Sequence, residues 1–172
     1  MENYHEEGLV FFTDLTNFFH STKGIKTEQV ADLLTTFAEI TNSTVNSGSG
    51  QVIDYMGDSA LGFFPAKLAD QGVRTLMDMK HQVEEWLITE GYKMKLRVGA
   101  HYGPFMVIFL PPFTTPDILG ETANIAVRLG SGGQSSHRGR FILSAAAFRK
   151  LAPETRKSFH KYTEPIVYLA EE

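Results

Sequence analysis

The fold is decided by residues 51–64, QVIDYMGDSALGFF. Two apolar runs flank the dipeptide Gly57-Asp58, which favours a tight two-residue turn, so the stretch predicts a β-hairpin with strands over 51–56 and 59–64. Pro65 closes the second strand. Asp58 is then expected at the tip of a buried strand, where a carboxylate is costly unless it is paired or binds a cation.

Strand and helix patterns alternate on both sides of this hairpin. Upstream, Leu9–Thr13 predicts a strand, and Thr27 predicts the N-cap of a helix that runs to about residue 46. Downstream, the patterns predict a helix over about 70–89, strands over 95–100 and 105–110, a short helix after Gly120, a loop over 131–139, a strand over 141–143, a helix from Ser144 to about residue 151, and a last strand over 166–169. The order β-α-β-β-α-β with appended elements predicts an α+β fold with a ferredoxin-like core.

Composition excludes several classes of function. The 172 residues fit one domain, which we expect to span 1–172. The net charge of −4 and the lack of a Lys/Arg run argue against nucleic acid as a partner, and the absence of cysteine excludes disulfides and thiolate zinc sites. No apolar stretch approaches the ~20 residues of a membrane span. The acidic N-terminus is no signal peptide, so we expect a cytoplasmic protein.

A second aspartate occupies a position like that of Asp58. Asp14 ends the apolar run at 9–14, LVFFTD. Two carboxylates that converge from neighbouring strands make a site for a hard cation such as Mg²⁺. Taken singly, Asp14 could be a helix N-cap and Asp58 a turn residue, and both alternatives stay open at this point.

Four short motifs follow one another along the chain: DLTNF at 14–18, GDS at 57–59, RVGAHYG at 97–103 and DILGETANIAVRL at 117–129. In this order they resemble the catalytic domain of the class III adenylate and guanylate cyclases, over residues 8–169. The resemblance implies the class III cyclase fold and the conversion of a nucleoside triphosphate to a 3′,5′-cyclic nucleotide and pyrophosphate. It also implies two Mg²⁺ or Mn²⁺ ions per site, with Asp14 and Asp58 as their ligands.

The resemblance assigns phosphate binding to the segment after Asp14, where a helix start offers free backbone N–H groups. The segment consists of Leu15, Thr16, Asn17, Phe18 and Phe19. The family pattern is Asp-Leu-x-Gly-Phe-Thr, so Asn17 replaces a glycine and Phe19 replaces a small hydroxyl residue. Backbone contacts to phosphate survive these changes, whereas a hydroxyl contact from residue 19 does not.

The resemblance assigns the transition-state residues to the helix after Gly120. Asn124 and Arg128 are four apart and share one helix face. They match the family's ribose-holding asparagine and phosphate-neutralising arginine, which come from the opposite subunit, so a homodimer is implied. Lys161 lies near the place of a phosphate-contacting lysine, although a surface lysine is the simpler interpretation. His101 is interpreted as a structural histidine rather than a ligand.

Base selection is where the sequence departs from the family. Adenylate cyclases usually carry Lys and Asp or Thr at the two base-contacting positions, and guanylate cyclases carry Glu and Cys; here the positions hold Asp54 and Asp117. ATP is favoured over GTP because Asp117 matches the adenylate pattern and Asp54 is not a Glu. Two alternatives remain: a guanylate cyclase, and a catalytically silent domain that regulates by binding a nucleotide or a partner. Asp54 could also simply face solvent.

Overall fold

The computed structural model describes residues 2–112, 115–132, 140–163 and 166–170. Its strands are β1 (Tyr4–Leu15), β2 (Gln51–Met56), β3 (Ser59–Pro65), β4 (Leu96–Phe109), β5 (Pro116–Leu119), β6 (Phe141–Ser144), β7 (Phe159–Thr163) and β8 (Ile166–Ala170). Its helices are α1 (Phe18–Thr22), α2 (Thr27–Ser47), α3 (Ala69–Thr89), α4 (Glu121–Gly130), α5 (Ala145–Phe148) and α6 (Pro153–Arg156), with a 3₁₀ turn at Ala66–Leu68. Within the described residues, no helix is long and apolar enough to cross a bilayer.

The strands form one mixed sheet in the order β2-β3-β1-β4-β6-β8-β7, and β5 pairs with β4 beside this row. The first four strands pair antiparallel, which confirms the predicted ferredoxin-like core. β6 extends the sheet by pairing parallel to β4. The α+β prediction is therefore confirmed, with the appended strands adding to the β4 side of the sheet.

Side-chain alternation in β1 builds two cores, one on each face of the sheet. Leu9, Phe11 and Leu15 point to the face covered by α2 and α3 and belong to the larger buried cluster. Val10 and Phe12 point to the other face and pack with residues of α4. Asp14 continues this second series, so its carboxylate belongs to the α4 side of the sheet.

Several of the predicted boundaries are wrong, among them the N-cap of α2, which is Lys26 and not Thr27. The strands expected over 95–100 and 105–110 form one continuous strand, because Gly103 and Pro104 pair with β1, which itself begins at Tyr4 rather than Leu9. The helix capped by Ser144 ends at Phe148 instead of near residue 151. β5 and β7 were not predicted as strands. Of the loop predicted over 131–139, only residues 131 and 132 lie within the described residues.

Candidate active site

The two aspartates lie at the same end of adjacent strands. Gly57 has φ +63°, which forms the predicted turn between β2 and β3. The backbone N–H of Leu15 donates to the carbonyl oxygen of Asp58 at 3.1 Å, so the tip of the hairpin is tied to the end of β1. Asp14 pairs with Ser59 across β1 and β3, and the Ser59 hydroxyl donates to Asp14 Oδ1 at 2.9 Å.

The electrostatics of this pair oppose its ionisation. Burial raises the pKa of Asp14, which is opposed by the Ser59 hydrogen bond and by the positive charge of Arg97. Burial also raises the pKa of Asp58, opposed by a hydrogen bond to its own backbone, and the charge of Asp14 raises it further. The two carboxylates are therefore close enough to repel each other, and bringing a cation to them would offset that repulsion.

The donor set fits a hard divalent ion that is only partly held by protein. Among the described residues, no group of three or more His, Cys, Asp or Glu side chains could close a metal centre. Asp14 and Asp58 supply two carboxylates, so an ion bound there would need further oxygen ligands, from water, phosphate, hydroxyl or backbone carbonyl groups. Mg²⁺ and Mn²⁺ are commonly bound in this way, by one or two carboxylates plus substrate phosphates.

Arg97 is a site residue to which the sequence analysis gave no role. It is only 5% exposed and pairs with Asp14 across β1 and β4. Its guanidinium also packs against Gly132, where an added Cβ would overlap it. A buried arginine opposite a strand-end aspartate places a fixed positive charge beside the carboxylates. The signal in the sequence was its position at the start of a strand aligned with β1.

The backbone of the phosphate-binding segment explains the substitution at residue 17. Asn17 has φ 59° and ψ 22°, a left-handed conformation that glycine adopts freely and asparagine better than most other residues. Next to it, the Thr16 hydroxyl accepts a hydrogen bond from the N–H of Lys95 at 3.0 Å, and Phe18 packs on the larger core. Phe19, 75% exposed, offers no hydroxyl to a ligand.

We expect Asn17→Gly to keep the fold and the activity, and Asn17→Val to damage both. A β-branched residue in the left-handed region costs about 1–3 kcal/mol, because its side chain clashes with the neighbouring backbone. Urea unfolding and a turnover assay on both variants test this expectation. Equal stability of the two variants would show that residue 17 does not need the left-handed conformation.

Alternate residues of β4 form the surface on which α4 rests. An added Cβ at Gly99 would overlap the backbone of residues 129 and 130, so the helix touches the strand directly there. Further along, Thr122 Oγ1 donates to the carbonyl of Pro104 at 2.6 Å. The glycines of the RVGAHYG motif lie on the face of β4 that α4 covers, so the helix can approach the strand closely at these positions.

This packing leaves Asn124 and Arg128 on the outer face of α4. Both are exposed, and neither side chain has a hydrogen-bond or ion-pair partner within the described part of the chain. Thr122, Ala123, Ala126 and Gly130 are the buried residues of the helix. The pair therefore faces outward from its own chain rather than being held within it.

The two base-contacting candidates lie on strands that approach each other. Asp54 follows a β-bulge in β2, the edge strand of the sheet, and is exposed. Asp117 lies in β5, is also exposed, and its Oδ1 accepts a hydrogen bond from the N–H of Ile118 at 2.7 Å. β2 and β5 contact each other, so the fold brings the two regions together.

Lys161 is not brought to the carboxylates within one chain. It is exposed on β7, at the opposite edge of the sheet from β2. Strands β4, β6 and β8 separate β7 from β1. Any contact between Lys161 and a nucleotide at Asp14 would need a second copy of the chain.

Comparison with known proteins identifies the family. The sequence model of the adenylate and guanylate cyclase catalytic domain matches residues 1–168, and the chain belongs to this family. The fold is similar to that of the adenylyl cyclase CyaB from P. aeruginosa, with a TM-score of 0.82 at 18% identity, covering 100% of this chain and 97% of that one. The monomeric guanylyl cyclase domain of the RhoGC fusion protein from the aquatic fungus Blastocladiella emersonii gives a TM-score of 0.81 at 20% identity, covering 99% of this chain and 98% of that one.

The curated relatives are much longer than this chain. An uncharacterized protein of Mycobacterium tuberculosis is 24% identical over 143 residues, which is 83% of this chain and 34% of that protein. Adenylate cyclase 1 of Rhizobium meliloti is 23% identical over 155 residues, which is 84% of this chain and 23% of the relative. The chain therefore spans about a third or less of the length of these relatives.

Proposed function

We propose that the chain is a class III nucleotide cyclase, which converts a nucleoside triphosphate to the 3′,5′-cyclic nucleotide and pyrophosphate at a site shared by two copies. The observation that carries the proposal is the pair of half-buried carboxylates, Asp14 and Asp58, whose ionisation is opposed by burial and, at Asp58, by the charge of its neighbour. Folding alone gives no reason to keep two such groups together. A divalent cation bound to the substrate phosphates does.

Asp14 and Asp58 would hold two Mg²⁺ or Mn²⁺ ions, which when bound lower the pKa of the ribose 3′-hydroxyl and screen the phosphate charge. The backbone N–H groups of Asn17, Phe18 and Phe19 would face the triphosphate at the start of α1, whereas those of Leu15 and Thr16 already donate to the carbonyl oxygens of Asp58 and Lys95. Arg97, fixed beside Asp14, adds a positive charge to the same end of the site. These groups act by positioning and by neutralising charge, as is general for phosphoryl transfer.

Asn124 and Arg128 would come from the second copy of the chain. Their exposure and the lack of side-chain partners within the described residues support this, because an outward-facing pair can enter another subunit's site. Asn124 would hold the ribose, and Arg128 would neutralise the α-phosphate as its charge increases in the transition state. Lys161 would contact the phosphates from the same subunit as Asn124 and Arg128.

ATP is the favoured substrate. The carboxylate of Asp117 accepts from the N6 amino group of adenine, and Asp54 supplies no donor for adenine N1. With GTP, Asp54 could accept from guanine N1–H, and Asp117 would then face the O6 acceptor. Each base leaves one polar mismatch, which costs about 1–3 kcal/mol when buried. The match at Asp117 decides the preference.

The proposal is tested by incubating the protein with equal concentrations of ATP and GTP in the presence of Mn²⁺ and separating the products by chromatography. We expect cyclic AMP as the main product, and no cyclic nucleotide from Asp14→Asn. Asp32→Asn, which changes an exposed aspartate on α2, serves as the matched control and should match the wild type. Cyclic GMP as the main product would reverse the base assignment. Nucleotide binding without any cyclic product would contradict the cyclase proposal and favour a silent regulatory domain.

A further inference from the structure

His101 lies beneath α4, between the two glycines on which the helix rests. Gly99, His101 and Gly103 alternate along β4 and share one face of the strand. Added Cβ atoms at Gly99 and Gly103 would meet α4, the first at its C-terminal backbone and the second at the Thr122 hydroxyl. Of these three residues, His101 alone carries a side chain, and it is half-buried.

Within the described residues, one side-chain hydrogen bond orients the imidazole. His101 Nδ1 is 2.8 Å from Ser144 Oγ. The same oxygen accepts a hydrogen bond from the N–H of Ala147 at 3.1 Å, as the N-cap of α5. In the neutral tautomer whose ring proton lies on Nε2, the Ser144 hydroxyl donates to Nδ1. Burial lowers the pKa of His101, in agreement with this neutral form.

Three structural units meet at this ring. β4 carries it, and the junction of β6 with α5 holds its Nδ1 through Ser144. The first turn of α4 contributes Glu121, whose negative charge acts on the imidazole and opposes the effect of burial on its pKa. Asn124 follows Glu121 by three residues, on the next turn of the same helix.

We propose that His101 is a positioning residue, which fixes the N-terminal half of α4 on the sheet and thereby sets the position of Asn124 and Arg128. The proposal rests on the proposed function, since those two residues act only in the shared cyclase site. We assign His101 no contact with the nucleotide. Its side chain stands between the two glycines that contact α4, and its hydrogen bond to Ser144 holds the orientation of the ring.

A small displacement of α4 should affect the rate much more than the stability. Misplacing a reacting or charge-neutralising group by about 1 Å costs on the order of 100-fold in rate. His101→Phe keeps a ring but cannot accept from Ser144, and we expect kcat to fall on the order of 10–100-fold with KM nearly unchanged. His101→Asn can present an acceptor near the position of Nδ1, so its loss should be smaller.

Mixing experiments separate positioning from a general loss of structure. In a shared site, His101→Phe damages only the half that supplies α4. Activity should therefore return when this variant is mixed with Asp58→Asn, which supplies an intact α4. It should not return with Asn124→Ala, which needs an intact α4 from its partner. His81→Phe, at an exposed histidine on α3, is the matched control and should behave as the wild type.

Other outcomes overturn the inference. Full activity of His101→Phe would remove any positioning role. Return of activity with both partners, with neither, or with Asn124→Ala alone would show that His101 does not act through α4. His101→Asn repeats the test should His101→Phe fold poorly, as judged by circular dichroism. Failure of the Asp58→Asn and Asn124→Ala pair to complement each other would instead reject the shared site, and with it the proposed function.

Discussion

Asp58→Asn should reduce turnover on the order of 10³-fold while leaving the fold at least as stable as the wild type, since the activity depends on a charge that the fold does not need. Asparagine keeps the size of the side chain and its place after Gly57. It removes a carboxylate whose ionisation is opposed by burial and by Asp14. The free energy of unfolding should therefore stay constant or rise by about 1 kcal/mol in metal-free buffer at neutral pH.

The contribution of Asp58 to the free energy of unfolding should depend on pH. The folded-state pKa of Asp58 is raised, so the associated stability is fully present below the unfolded value of about 3.8 and is lost as the pH rises through the folded value. Urea unfolding without divalent ions should show the wild type losing more stability than Asp58→Asn as the pH rises above that range. Adding Mn²⁺ should restore this lost stability in the wild type only. A variant that is inactive and also much less stable would contradict a metal-binding role for Asp58.

Gly99→Ala should strongly reduce activity and lower stability. The added methyl group would overlap the backbone of α4 at residues 129 and 130, so the helix has to move away from β4. Overpacking of this kind costs about 1–3 kcal/mol, and the neighbour here is backbone that cannot rotate aside. Displacement of α4 would carry Arg128 out of position, with an expected loss of activity on the order of 100-fold.

Thermal unfolding and turnover rates check the Gly99 prediction, with Gly24→Ala as the control. Gly24 has φ +85°, but an added Cβ there meets nothing within 4 Å. That variant should lose about 1 kcal/mol from backbone strain and keep its turnover. Similar activity losses in both variants would point to general destabilisation. An active Gly99→Ala would show that α4 does not need its close contact with β4.

The sequence predicted the structural features that depend on short stretches of neighbouring residues. Residues 51–64 carry both the apolar alternation and the turn dipeptide, and the hairpin forms as predicted, with Gly57 in the left-handed region. Asp14 and Asp58 were predicted to converge because each ends an apolar run. The structure bears this out, since the N–H of Leu15 binds the carbonyl of Asp58.

Long-range pairing determines what the sequence could not show. Gly103 and Pro104 favour a break in β4, yet twelve residues of β1 pair along it and keep it extended. Arg97 received no role because its meaning depends on Asp14, which lies opposite it on a distant strand. Base selection stays a proposal, because Asp54 and Asp117 differ from the pairs typical of either kind of cyclase.

The proposed active site is made by two chains, with the carboxylates from one and α4 from the other. The most direct test mixes Asp58→Asn with Asn124→Ala, each inactive alone, and measures cyclic nucleotide formation. Random pairing makes half of the dimers mixed, each with one intact site, so about a quarter of the wild-type activity should return. No activity at any mixing ratio, with heterodimers shown to form, would contradict the shared site.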